Sequence, residues 1–458
     1  MVETALVSKK DTRDLVSFLA DLKYGDIPPQ VVERTKLLFL DWLGSCLAGG
    51  SSRQVKILSR FSNRMCRHDG PSEVIPGRSD SSPFFASFIN AASSHVVELD
   101  DLYDAAVIHP GTVVFPAALA AAQENGASGK ELLTASIIGY EAAARVGEFL
   151  GRSHYRVFHT TGTAGTFGAA SAVSHILGAD FDEMLNSFGS AGTQAAGLWE
   201  FLKDAADSKQ LHTAKAASNG LLAAYISHDG FTGAKNILEG SQGLGAGTST
   251  DADKSKLSTG MGEKWAVMNT SLKYYAACRH IHPSADALPK AMKEYDLSPN
   301  DIRSIKAHVH QAAIDVLGPV TDPKTIHQSK FSMQFVLSLI ALTGKASLDS
   351  FNDLSLHDQK IRDFMRRVEL VYDEDIDRNY PSKWKGFVEI ETFSGKKIRS
   401  YIDAPKGDPE NFLTEEEIFL KFATLAKYSD SLRQDEIDKV INKVKNLENI
   451  PKIARILN

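Results

Sequence analysis

The chain of 458 residues exceeds what one hydrophobic core ordinarily supports, so two domains are expected. With 43% hydrophobic and 24% charged residues it reads as globular, and a formal charge of -6 without a long Lys/Arg block leaves no electrostatic footprint for nucleic acid. Cys46, Cys66 and Cys278 are too scattered for a disulfide framework or a paired-cysteine metal site. No window reaches membrane-spanning length, and the charged start MVETALVSKK lacks a signal peptide's apolar run, so a cytoplasmic location is expected.

From Asp11 to Gly49, apolar residues at helical spacing predict two helices separated by Ile27-Pro28-Pro29, with Gly49-Gly50 ending the second. Ser51 to Ser82 is polar and rich in Arg and Ser, which reads as a surface excursion. The stretch NAASSHVVELDDLYDAAVIHPGTVVFP, Asn90 to Pro116, ends a small-residue helix (Phe84 to Ser94) and crowds His95, Glu98, Asp100, Asp101, Asp104 and His109 between apolar segments. Acid-base groups at that density point to a pocket, the alternative for each acid being a solvated helix end. His109-Pro110-Gly111-Thr112 breaks the helix, and a new one is expected from Phe115 to Gln123.

Gly129 to Gly151 reads as a helix whose small residues allow close approach. In RVFHTTGTAGTFGAASAVSHIL, His159 stands before Thr160 and Thr161, either of which can cap a small-residue helix and leave free N–H groups suited to a carboxylate. The alternative for His159 is a hydrogen-bonded, partly buried histidine. A further helix is expected from Phe181 to Ala195. In DSKQLHTAKAASNG, Lys209 and His212 share one side at the start of an Ala-rich helix, where buried cations call for an anion; Lys215 fits that role or snorkels to water. The glycine-rich EGSQGLGAGTSTD (Glu239 to Asp251) lacks a preceding strand and a following apolar helix, so it reads as a flexible loop and no nucleotide cofactor is expected.

Ala266 to Asp286 concentrates Lys273, Cys278, Arg279, His280 and His282 ahead of a helix near Pro283, with Lys273 and Arg279 as anion-binding groups. Alternating strands follow at Ile302 to Val309, Val368 to Tyr372, Phe387 to Phe393 and Lys397 to Ile402, the last two a hairpin around Ser394-Gly395. Helices at Phe331 to Leu342 and Asp358 to Arg367 complete an α+β unit of residues 272 to 405. Thr414 to Leu457 returns to helix, opened by a Thr414/Glu417 capping box, with an exposed face carrying Lys439, Lys443 and Lys445.

Taken together, the acidic stretch ending HPGT, FHTTGTAGTFGAA, KQLHTAKAASNG and KYYAACRHIHPSADA, with DPKTIHQSKFSMQFVLS, resemble the MmgE/PrpD family in order and spacing across nearly the whole chain. The resemblance implies a mainly α fold: a large all-helical domain built from both chain ends (1–271 and 406–458), a smaller α+β lid domain (272–405), and a homodimer. It implies site roles for Glu98, His109, His159, Lys209 and Lys273. Glu98 stands where the family usually has Asp, Leu102 replaces a Thr or Ser, and the Glu98-to-His109 spacing is one residue longer than in the decarboxylases. The chemistry implied is a proton shift beside a carboxylate without metal or organic cofactor. His109, His159 and Glu98 are the expected catalytic residues, with Lys209, His212, Lys273, Thr160 and Asp101 binding a small di- or tricarboxylate. A lyase resembling 2-methylcitrate dehydratase is the first expectation. Decarboxylation of cis-aconitate and epimerisation of an iminodisuccinate-type acid are alternatives, and a non-catalytic carboxylate-binding scaffold is the alternative outside enzymes.

Overall fold

The computed structural model describes residues 12–66, 69–204 and 206–457; Asp11 and the charged start before it lie outside the described residues. Helices α1 (Thr12–Asp21) and α2 (Pro29–Gly49) open the chain, the second entered through Pro28 with Pro29 as its first residue, where the absent N–H costs nothing. Among the described residues, the stretch read as a surface excursion carries regular secondary structure. It forms α3 (Arg53–Met65), of which only Val55 and Ser62 are buried, and a ribbon of β1 (Ser72–Val74) with β2 (Ser79–Ser81). Its polar composition hides this helix because so narrow a face is buried.

The large core is a stack of α4 (Pro83–Val96), α5 (Gly111–Asn125), α6 (Gly129–Tyr155), α7 (Thr160–Ile176), α8 (Phe181–Gly192) and α9 (Ser208–His228). Local signals set their starts: Ser128 with Glu131 and Asp180 with Glu183 form capping boxes. Where α6 meets α7, a Cβ at Gly139 would lie 2.8 Å from the Gly168 carbonyl, and one at Gly168 2.7 Å from that of Gly139. Only glycine permits that approach. The glycine-rich stretch read as a loop contains a short helix, Leu244–Thr248.

After a two-residue ribbon of β3 (Leu102–Tyr103) with β4 (Thr270–Ser271), the chain builds a second core. It contains α10 (His282–Glu294), β5 (Ile302–Val309), α11 (Gln311–Leu317), α12 (Met333–Thr343), α13 (Gln359–Met365), β6 (Val368–Tyr372), β7 (Gly386–Thr392) and β8 (Lys397–Ile402). The four strands form one sheet in the order β6-β5-β7-β8, parallel between β5 and β6 and antiparallel elsewhere, with Ile305 opposite both Val368 and Ile390. Gly395, at φ 84°, makes the β7–β8 turn. Helices α14 (Glu415–Tyr428), with its Thr414/Glu417 capping box, and α15 (Gln434–Lys445) return to pack on α2.

The fold is mainly α, as expected, with the α+β region inserted late in the chain. Ala48, Val97, Leu99 and Leu425, from elements of the first core, are buried in the second, so the two meet along a seam. Among the described residues no helix is long and apolar enough to cross a membrane.

Candidate active site

The seam brings together groups far apart in sequence. Helix α4 ends at Val96, and Glu98 takes a left-handed conformation (φ 59°) that turns the chain sharply. Pairing of Leu102 with Ser271 and Tyr103 with Thr270 then carries Lys273 to the same place, while Lys209 arrives on the first turn of α9. Lys209 Nζ donates to Glu98 Oε1, and Lys273 Nζ donates to Oε2 at 3.1 Å while lying 3.7 Å from Asp100 Oδ1. Glu98, Lys209 and Lys273 are all within 3% of complete burial, where an unpaired charge would be costly. Burial alone would raise the Glu98 carboxyl, but Lys209 and Lys273 hold it well below the usual carboxylate range. Burial likewise disfavours the Lys273 ammonium, and Glu98 and Asp100 outweigh it, so its pKa is raised. Lys273 therefore holds its charge, and the two lysines share one carboxylate.

Asp100 serves two histidines. Its Oδ2 accepts from His95 Nδ1 at 2.7 Å and lies 2.9 Å from His109 Nδ1, which is also 2.6 Å from the Asp101 carbonyl. With only acceptors facing them, both Nδ1 atoms carry the proton and both Nε2 atoms are left with a lone pair. Burial lowers His95 to about 4 and lowers His109, so each ring is neutral near pH 7. His159 stacks near His95 at 5.6 Å between ring centroids and is held well below its ordinary pKa by burial. Its Nδ1 is 3.3 Å from Nδ1 of His212. Among the described residues, His95, Asp100 and His109 form a grouping that could hold a metal ion. The 2.7 and 2.9 Å contacts to a single oxygen are those of hydrogen bonds, shorter than the roughly 3.3 Å between ligands on a tetrahedral zinc.

His109, Glu98, His159, Lys209 and Lys273 line one cavity, whose remaining wall includes Leu102, Val107, Phe331 and Trp384 as well as Tyr155, Cys278 and His280. The centre of a water-sized sphere has about 20 Å³ there, enough for one water molecule.

Three expected binding residues do not line this cavity. Asp101 is turned away: its carboxylate accepts from Tyr140 OH at 2.6 Å and from the Gly111 N–H at 3.0 Å, tying down the start of α5, and burial raises it to about 8. Thr160 faces α6, where a Cβ at Gly147 would meet its methyl at 3.3 Å, and neither threonine caps α7. Its neighbour Thr161 instead accepts the His109 N–H at 3.1 Å. His212 lines a separate surface pocket of about 480 Å³ together with Lys215, and its Nδ1 lies 3.3 Å from Nδ1 of the cavity-lining His159.

Sequence reasoning singled out neither His95 and Asp100 as a pair nor the support behind Glu98 and Lys273. Lys421, on α14, donates to the carbonyls of Leu99 and Lys273, both at 2.8 Å, and pairs with buried Asp41 of α2 at 2.7 Å. Arg279, expected to bind an anion, is engaged by Asp408 at 3.3 Å and Asp104 at 3.7 Å. Buried Lys330 donates to the Val97 carbonyl at 2.8 Å, and burial brings it down to about 8.

The MmgE/PrpD N-terminal domain matches residues 13–257 and the MmgE/PrpD C-terminal domain matches residues 275–447. Similar curated proteins span nearly the whole chain. The cis-aconitate decarboxylase-like protein oryM of Aspergillus oryzae is 26% identical, covering 97% of this chain and 96% of its own length. The cis-aconitate decarboxylase of Aspergillus terreus is 26% identical (98% and 96%), and that of Homo sapiens 27% identical (97% and 93%).

Proposed function

This chain belongs to the MmgE/PrpD family, and from that premise we propose that it is a carboxy-lyase acting on a small unsaturated tricarboxylate of the cis-aconitate kind. Dehydration of a 2-methylcitrate-like acid, the first expectation from sequence, becomes the second reading, because relatives spanning the chain carry the decarboxylase name. Epimerisation and the carboxylate-binding scaffold rank after both.

The observation that carries the choice is the make-up of the cavity wall. Lys209 and Lys273 supply positive charge for two carboxylates, while Leu102, Val107, Phe331 and Trp384 supply an apolar surface for a third. A carboxylate placed against that surface loses water, and carbon dioxide, the uncharged product, does not need it. In the reaction the bond to the departing carboxyl breaks, its electron pair shifts the neighbouring double bond by one position, and the far carbon takes a proton. One proton enters and one carbon dioxide leaves.

His109 is the proposed proton donor. Neutral His109 holds its proton on Nδ1, so it first takes one from solvent at Nε2 and then passes it to carbon, with Asp100 stabilising the imidazolium. Glu98 orients both lysines, and His159 borders the same space. A division into a helical domain (1–271 with 406–458) and a lid (272–405) that opens for substrate, and assembly as a homodimer, belong to the same proposal. Light scattering should give twice the chain mass.

Proton NMR in deuterated water with cis-aconitate and with 2-methylcitrate tests the reading. New terminal vinylic protons from cis-aconitate, with gas release and one deuterium incorporated, are expected. An unsaturated product from 2-methylcitrate without gas, read from collapse of its methyl doublet to a singlet, would move the assignment to the dehydratase, and no reaction of either acid would overturn both.

A further inference from the structure

We propose that His310 is a positioning residue that locks His280 in one tautomer, so that His280 faces the cavity as a neutral hydrogen-bond donor and not as a base. His310 follows β5 as the N-cap of α11, and its Nδ1 accepts the Ala313 backbone N–H at 3.3 Å. A ring nitrogen that accepts carries no proton. Burial brings His310 down to about 3, so the ring is neutral and its one proton is on Nε2. That atom is 3.3 Å from His280 Nδ1, which must therefore accept. The proton of His280, also kept neutral by burial, is then on Nε2, 3.4 Å from the Tyr155 hydroxyl. Both His280 and Tyr155 line the cavity; the inference starts from a backbone N–H and ends there.

The rings have little freedom to turn over. His280 stacks on Trp384 with centroids 5.0 Å apart and planes at 19°, and His310 stacks on Tyr380 at 3.8 Å and 12°. Two of the neutral histidines lining the cavity thus have opposite character. His109, with Nδ1–H directed at Asp100, offers a lone pair at Nε2; His280 offers an N–H. A fixed N–H suits a substrate carboxylate or the negative charge that develops as carbon dioxide leaves. That last role rests on the carboxy-lyase reading, whereas the tautomer does not.

Two variants of the full chain separate this from a structural role. In His310→Asn the side chain keeps the cap on Ala313 but loses the donor toward His280. In His310→Gln an amide N–H stands near the place of Nε2. Protein carrying ¹⁵N-histidine is examined by long-range proton–nitrogen correlation, the His280 signals being identified by their loss in His280→Asn. His280 is expected protonated at Nε2 in the wild type and in His310→Gln, and shifted toward Nδ1 in His310→Asn. With cis-aconitate, kcat should fall roughly 10- to 100-fold in His310→Asn, by analogy with loss of the partner that orients a metal-ligating histidine, and recover in His310→Gln. An Nδ1-protonated His280 in the wild type, or His280 signals unmoved in His310→Asn, overturns the proposal. If the wild type itself turns over no carboxylate, the functional reading fails and the spectra alone decide the tautomer.

Discussion

Lys421→Met tests whether the return of the C-terminal helix supports the site. The side chain pairs with Asp41 Oδ1 at 2.7 Å and donates to the carbonyls of Leu99 and Lys273 at 2.8 Å each, and Asp41 is only 1% exposed. Removing one partner of a buried pair strands the other charge and costs about 3–5 kcal/mol. Because burial already raises the Asp41 carboxyl, part of that cost is met by its taking up a proton. The double variant Asp41→Asn/Lys421→Met strands no charge. It is expected to recover about 2 kcal/mol of the loss, within the range of coupling between contacting residues, and the remainder reflects two carbonyls without their donor. Urea unfolding followed by circular dichroism at pH 7 measures the wild type and both variants. Activity should fall in the single and the double variant alike, because both free the backbone that carries Glu98 and Lys273. A single variant within 1 kcal/mol of wild type, or a double variant less stable than the single, would refute the reasoning.

Three further outcomes are expected. His109→Gln should lower kcat roughly 10²- to 10⁴-fold with little change in KM, as loss of a proton-transfer group does; a change confined to KM would remove His109 from that role. Stability should peak near pH 6.5. Below it, His95, His154 and His212 (each about 4) and His310 (about 3) bind protons more readily in the unfolded chain, so stability falls with falling pH. Above it, Asp101 (about 8) and Asp104 (about 7) hold protons that the unfolded chain has already released, so stability falls again as pH rises to 8. A urea midpoint that climbs steadily from pH 6.5 to 8 would contradict this. Leu102→Thr places a hydroxyl in the cavity wall and should move the kcat/KM ratio of a hydroxy acid to cis-aconitate upward by about 10-fold or more; an unchanged ratio would show that Leu102 does not meet the substrate.

Much of the architecture was legible because its signals are local. The capping box at Thr414, alternation along β5 to β8 and the Ser394-Gly395 turn each depend on neighbours a few residues away. The helix α3 was missed since two buried residues in thirteen leave almost no apolar period to read. In the site, the density of acids and histidines between Asn90 and Pro116 marked the right place. It did not separate adjacent aspartates: Asp100 turns to the histidines and Asp101 to Tyr140 and Gly111, a choice made by what packs on either side of the chain.

The sequence by itself determined which residues can titrate, that most of the chain is helical, and that an α+β segment lies late in it, because composition and period act over one or two turns. The tertiary structure alone decided that Lys209 and Lys273 share Glu98 across 111 and 175 residues, and which nitrogen of each histidine holds its proton. Burial makes every unpaired charge and lone pair expensive, so partners and tautomers are chosen by whichever group the packing brings within about 3 Å.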